Sequence, residues 1–227
     1  MFPTPMTEEL ARAGRALDAA GLVTAFGHVS ARTDGGTLLI TPPEPLGRLT
    51  ADHPGFRALP PGGAALPEGA PREAWIHLAV TAARAEVGAV CRAQPPAATA
   101  AAAAGLPLRP LHGQGALLGP LVPVFEDARL VRDARAARAL TETLGDAHAV
   151  VMLGNGAVTV GRTVGAAVAR MWILEQSARL TLAASAAGHP RPLPASQQKA
   201  WVAAGPELLD RLWHHLAPAP EPEKSTP

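Results

Sequence analysis

"AVCRAQPPAATA", residues 89–100, changes character twice within a short span. An apolar run closes on Val90. Cys91, Arg92, Ala93 and Gln94 follow, and Pro95 and Pro96 then open an alanine-rich segment. An apolar run bounded by turn residues reads as a strand, and proline suits the first position of a helix. The stretch is therefore a strand that carries polar side chains to a helix entrance, the kind of corner where α/β proteins bind ligands.

The segments on either side supply the layers around that corner. Upstream, residues 71–86 (PREAWIHLAVTAARAE) read as a helix with Pro71 near its first position and Ile76, Ala79, Val80 and Ala83 as its buried stripe. Before it, FGHVSART and GTLLITP are short β-branched runs joined through Asp34-Gly35-Gly36, a hairpin signal, and a short strand is expected at 56–59. In residues 7–23, Leu10, Ala13, Leu17 and Ala20 fall at helical spacing, with Thr7 as the expected cap and Glu8 and Glu9 in the first turn. Downstream come strand-like pieces near Leu106 and Val122, then a polar helix over 126–144 stopped by Gly145. An unbroken apolar strand at 147–153 leads into Gly154-Asn155-Gly156, a second strand at 157–161 and a long helix over 163–187. Val164, Val168, Met171, Leu174, Ala178 and Leu182 share a face of that helix, where Arg170 and Glu175 read as structural or interfacial. Strands interleaved with helices predict one α/β domain over 1–216, with helices covering both faces of a single sheet. His214 and His215, beside Trp213, belong to an amphipathic C-terminal helix, and the Pro-rich, charged tail at 217–227 has the composition of disorder.

Bulk properties narrow the partners. Hydrophobic residues make up 48% of the 227, charged residues 17%, and the formal net charge is +1. Lysine is scarce and the arginines are scattered, which argues against a nucleic-acid surface. The lone cysteine, Cys91, excludes an internal disulfide and a Cys-based zinc site. No basic, apolar leader opens the chain, and the longest uncharged stretch, 93–108, is broken by prolines and short of the ~20 apolar residues a membrane span needs. A cytoplasmic protein with no membrane association is expected.

Several residues offer chemistry, each beside a plainer alternative. Glu73 and His77 lie one helical turn apart, either as a pocket pair or as a pair that stabilises the helix. Cys91 is either a thiol activated by Arg92 or a small hydrophobe. Arg92 at a strand's carboxyl end could hold a carboxylate with two parallel hydrogen bonds. His112 sits in a Gly-rich segment that could approach a substrate, and Asn155 between two glycines is expected in the left-handed conformation of a turn.

The order of the pieces resembles the class II aldolase/adducin family over about residues 7–193. GLVTAFGHVSART, LLITPP, the Glu73-x-x-x-His77 spacing in EAWIH, and the late block from Leu144 to Leu180 carry the likeness. The resemblance implies a three-layer α/β/α sandwich with a mixed, mostly antiparallel sheet. It also implies homotetramers with sites at subunit interfaces, and a divalent metal, usually zinc, on three histidines that polarises a carbonyl during carbon–carbon cleavage. Two of those histidines come from a His-x-His at a strand end and the third from a His-Gly turn. Laid on this pattern, Cys91, Ala93 and Asn155 stand in their places, so no metal ligand set and no cofactor is expected. Glu73 matches the family's acid/base carboxylate, and His28 and Ser30 occupy the entrance where family members bind substrate oxygens. Pro71-Arg72 and Pro43-Glu44 replace small polar and glycine-bearing turns, which disfavours a sugar phosphate.

The leading expectation is a family member with a degenerate metal site, a pseudoenzyme or binder of a small carboxylic acid. Its ligand would meet His28, Ser30, Arg72, His77, Cys91, Arg92, His112 and Asn155 around Glu73. The alternative is an active aldehyde-lyase or decarboxylase on a small hydroxy or oxo acid. It would use either a rearranged metal set drawn from Glu73, His77, Cys91 and His112, or metal-free acid/base chemistry by Glu73 with Arg92 or Arg72 stabilising charge.

Overall fold

In strand Ala89–Ala93, side chains alternate between two faces, and that alternation sorts the corner residues into two layers. Ala89, Cys91 and Ala93 enter one apolar core, whereas Val90 enters another on the opposite face. The computed structural model describes residues 4–218. Its elements are α1 (Thr4–Ala19), β1 (His28–Arg32), β2 (Leu38–Ile40), β3 (Arg57–Leu59), α2 (Ala74–Ala83), β4 (Ala89–Ala93), α3 (Pro96–Ala103), β5 (Val124–Phe125), α4 (Ala134–Leu144), β6 (Ala149–Met152), β7 (Ala157–Gly161), α5 (Val164–Ala187), α6 (Ala195–Ala203) and α7 (Gly205–Leu216). The strands form one sheet in the order β3-β2-β1-β4-β7-β6-β5, antiparallel except for the β5–β6 pair. Residues of α1, α3, α5 and α7 share the larger core on one face, and residues of α2 and α4 share the smaller core on the other. The chain is thus an α/β/α sandwich with a mixed, mostly antiparallel sheet.

Three element boundaries differ from the sequence reading, each for a local reason. Helix α1 begins at Thr4, so Thr7 is inside it and its hydroxyl donates back to the Thr4 carbonyl at 3.1 Å. Helix α4 begins at Ala134 rather than near Glu126, because Asp133 caps it by accepting from the Arg135 and Ala136 amides. Helix α2 begins at Ala74 with Glu73 at the N-cap, and Pro71 lies in the turn before it. The proposed tail at 217–227 lies almost wholly outside the described residues. Among the described residues no helix is long and apolar enough to cross a membrane.

Candidate active site

Three elements meet where β4 ends. The β6–β7 turn presents Asn155, the start of α2 presents Glu73, and β4 presents Arg92. Arg92 lies on the α2 side because it alternates with Cys91 and shares the face of Val90. The Arg92 Nη2 donates to Asn155 Oδ1 at 2.7 Å and to the Asn155 carbonyl at 3.2 Å, and lies 3.2 Å from Glu73 Oε2. Asn155 Nδ2 donates to Glu73 Oε1 at 3.1 Å, closing a triangle. Only this amide orientation gives the guanidinium an acceptor and the carboxylate a donor. Glu73 makes no cap hydrogen bond to its own helix; its side chain is committed to the triangle. Arg92 is 2% exposed and Glu73 13%, so the carboxylate is the member in touch with solvent.

The turn's glycines set Asn155 in place. Gly154 and Gly156 take the left-handed conformations (φ 69° and 82°) and Asn155 does not, contrary to the sequence expectation. At Gly156 a Cβ would stand 2.2 Å from the Ala93 carbonyl, so the close approach of the turn to β4 requires glycine.

A second cluster adjoins the triangle. His28 on β1 is the cross-strand partner of Arg92. Its Nδ1 lies 2.6 Å from His77 Nε2, and His77 Nδ1 lies 2.7 Å from Ser30 Oγ, all of them buried. Burial, reinforced by the Arg92 charge, pushes the His77 pKa down to about 3 and that of His28 well below its usual value. Both rings are neutral at physiological pH.

The remaining sequence candidates fall elsewhere. Cys91 points into the opposite core, where burial pushes its thiol up to about 12; the activated-thiol reading is corrected, since Arg92's side chain leaves on the other face. Ala93 shares that opposite core. The imidazole positions implied by the resemblance are therefore one residue later than 91 and 93. A His-x-His pair facing Glu73 would occupy 92 and 94, here Arg92 and Gln94. Sequence reasoning gave Gln94 no role, although strand alternation from Arg92 points to it. Arg72 is exposed and lines a shallow groove with Leu66, Trp75 and Arg132, away from the triangle. His112 hydrogen-bonds Ser177 on α5 at 2.9 Å. A metal set joining Glu73, His77, Cys91 and His112 is thus not assembled, and no group of three His, Cys, Asp or Glu suited to a metal occurs among the described residues. Of the other buried charges, Glu175 accepts from the Ala97 and Ala98 amides at the start of α3, a structural role.

The side chains at the corner do not fit a divalent cation. Arg92 has no lone pair and stays charged, Asn155 Oδ1 is already accepting from it, and the two neutral histidines spend a ring nitrogen each on one another. A cation placed against Glu73 would face the guanidinium across about one hydrogen-bond length.

Such a sheet, with a carboxylate entering from a helix start beside the strand-end corner, defines a class II aldolase-type α/β/α protein. The family model described as Class II Aldolase and Adducin N-terminal domain matches residues 8–182, and the chain belongs to that family. It is 32% identical over 222 residues to a 3,4-dihydroxyphthalate decarboxylase of Terrabacter sp. (strain DBF63), covering 91% of this chain and 93% of that protein. A protein of the same name from Arthrobacter keyseri is 30% identical over 196 residues, 80% of this chain and 79% of its own. Among solved structures, an L-fuculose-1-phosphate aldolase from Thermus thermophilus matches with a TM-score of 0.71 and 30% identity, covering 81% of this chain and 96% of that one.

Proposed function

We propose that this protein is a carbon–carbon lyase of decarboxylase type, acting on a small hydroxy or oxo acid with Arg92 in the electrostatic role that a metal ion plays elsewhere in the family. The observation that carries the reading is the buried guanidinium of Arg92, held between Glu73 and Asn155 at the strand end. The relatives named as decarboxylases of an aromatic hydroxy acid favour catalysis over a purely binding role.

The arrangement supports a balanced reaction. In an acid whose departing carboxylate is β to an oxo group, the bond between the carboxyl carbon and its neighbour breaks, carbon dioxide leaves, and the electron pair moves onto the oxo oxygen held by Arg92. In an aromatic hydroxy acid the ring carbon that bears the carboxylate is protonated first, and the pair released with carbon dioxide restores the aromatic ring. A preorganised cation matched to charge that develops in the transition state lowers the barrier, whereas one gripping the departing carboxylate would not. Glu73 delivers the proton, to the enolate carbon after carbon dioxide leaves or to the ring carbon before it leaves. The proton comes from solvent, which the partly exposed Glu73 side chain reaches. After transfer the carboxylate returns to the guanidinium.

Product and carbon dioxide should be measured with a panel of small hydroxy and oxo acids that includes 3,4-dihydroxyphthalate. Turnover of at least one member is expected, with Glu73→Gln slower by about 10²–10⁴ and Arg92→Lys by about 10²–10³. Binding without turnover across the panel would return the protein to the binder reading.

A further inference from the structure

At the end of the sheet opposite the triangle, the described residues enclose a second cavity of about 750 Å³, a size that suits a small organic molecule. Strand β7 runs from Ala157, next to the Asn155 turn, to Gly161 beside the cavity, and β6 starts just after His148, which lines it. The five residues of β7 set the two places about 16 Å apart, and none of Glu73, Arg92 and Asn155 reaches the cavity. Its walls are apolar. Leu117, Leu209 and Trp213 are buried in them, and Leu121 and Val202 stand exposed at the mouth. Trp213 packs so closely on Gly165 of α5 that a Cβ at that glycine would stand 2.5 Å from the indole, which fixes this wall in place.

Within these walls one cation is left without a counter-ion. Arg170 is largely buried; its Nε donates to the Leu117 carbonyl at 3.3 Å and its Nη1 to the Val160 carbonyl at 2.7 Å, while Nη2 makes no hydrogen bond and is not sealed off by protein. Among the described residues no carboxylate pairs with it, whereas Arg92 has Glu73 and Arg84 has Glu86. Burial, with the Arg84 charge, pulls the Arg170 pKa down to about 10, which leaves the group protonated at neutral pH. The two carbonyl bonds give Arg170 a structural role but do not neutralise its charge. A guanidinium withdrawn from water without an anion is unfavourable, and a bound carboxylate relieves that state through charge-assisted hydrogen bonds. Asp146, Asp210 and Arg162 are exposed at the rim, a net negative fringe that disfavours a ligand with several negative charges.

We propose that this cavity binds a small apolar monocarboxylate, its carboxylate on Arg170 Nη2 and its hydrocarbon or aryl part against Leu117, Leu209 and Trp213. The site is separate from the triangle and stands whether or not the lyase reading does.

Calorimetry of the full chain with 4-phenylbutyrate and with its neutral amide reads the site. The acid is expected to bind about tenfold or more tightly than the amide, and Arg170→Gln to remove that difference. Because Arg170 also holds two carbonyls, a second variant separates binding from folding. Ala166 lines the cavity in the first turn of α5, four residues before Arg170, and the Thr163 hydroxyl accepts from its amide. Ala166→Glu completes a capping box with Thr163 and sets a carboxylate one turn from the guanidinium. It should keep the fold and weaken binding of the acid about tenfold or more. No binding of the acid by the wild type, equal affinity for acid and amide, or an affinity for the acid that Ala166→Glu leaves unchanged overturns the proposal. A wild type that binds neither probe, with an Ala166→Glu protein that sediments as a smaller species, overturns it too and identifies the cavity as a contact between copies of the chain. None of these readouts needs turnover.

Discussion

At the scale of single residues, neutral buried histidines make the fold sensitive to acid. The His77 pKa is about 3 in the folded chain and near 6.5 when unfolded, so between these values the unfolded chain binds more protons. The contribution is complete above about pH 6.5 and is lost progressively as pH falls toward 3, amounting to about 2 kcal/mol for His77 at pH 5. Urea midpoints at pH 7 and pH 5 should therefore differ, and less so in a His77→Gln variant. Cys91 is expected to resist alkylation in the native protein and to react only on unfolding, checked by mass after iodoacetamide treatment with and without urea. The sequence made Glu73, His77, Arg92 and Asn155 legible as candidates through a one-turn helical spacing, a strand's carboxyl end and a turn between two glycines. It did not reveal that Arg92 and Cys91 face opposite cores, because adjacent residues of a strand are separated by the sheet itself.

At the scale of elements, two tertiary contacts hold the corner. Helix α3 opens on Pro95, which offers no side-chain cap, and the buried Glu175 of α5 accepts from its Ala97 and Ala98 amides instead. Glu175→Ala leaves those amides unmet and should cost about 2–3 kcal/mol of unfolding free energy, measured by denaturant titration. Gly156→Ala sets a Cβ against the Ala93 carbonyl in a left-handed backbone, so it should both destabilise the protein and displace Asn155, lowering turnover more than Glu175→Ala does. Periodicity located most strands and the long α5 but set the start of α4 too early. Glu126 to Asp133 resembles a polar helix in composition, and only the Asp133 cap marks where the turns begin. Helix α6 buries none of its side chains and therefore carries no apolar stripe to read.

At the scale of the whole molecule, the order of the motifs was enough to place the chain in its family, since order survives small errors of position. The site demands more, because a slip of one residue along β4 moves every side chain to the other face. Corrected by that one residue, the corner holds a fixed cation covalently, as Arg92, where related enzymes would hold a mobile one. That substitution is the central claim, and it is tested most directly by initial rates of carbon dioxide release from an accepted substrate, measured with protein of known elemental content before and after exhaustive EDTA treatment. The expected result is protein with less than stoichiometric zinc, manganese or iron and an unchanged rate; stoichiometric metal whose removal abolishes the rate and whose return restores it would contradict the account.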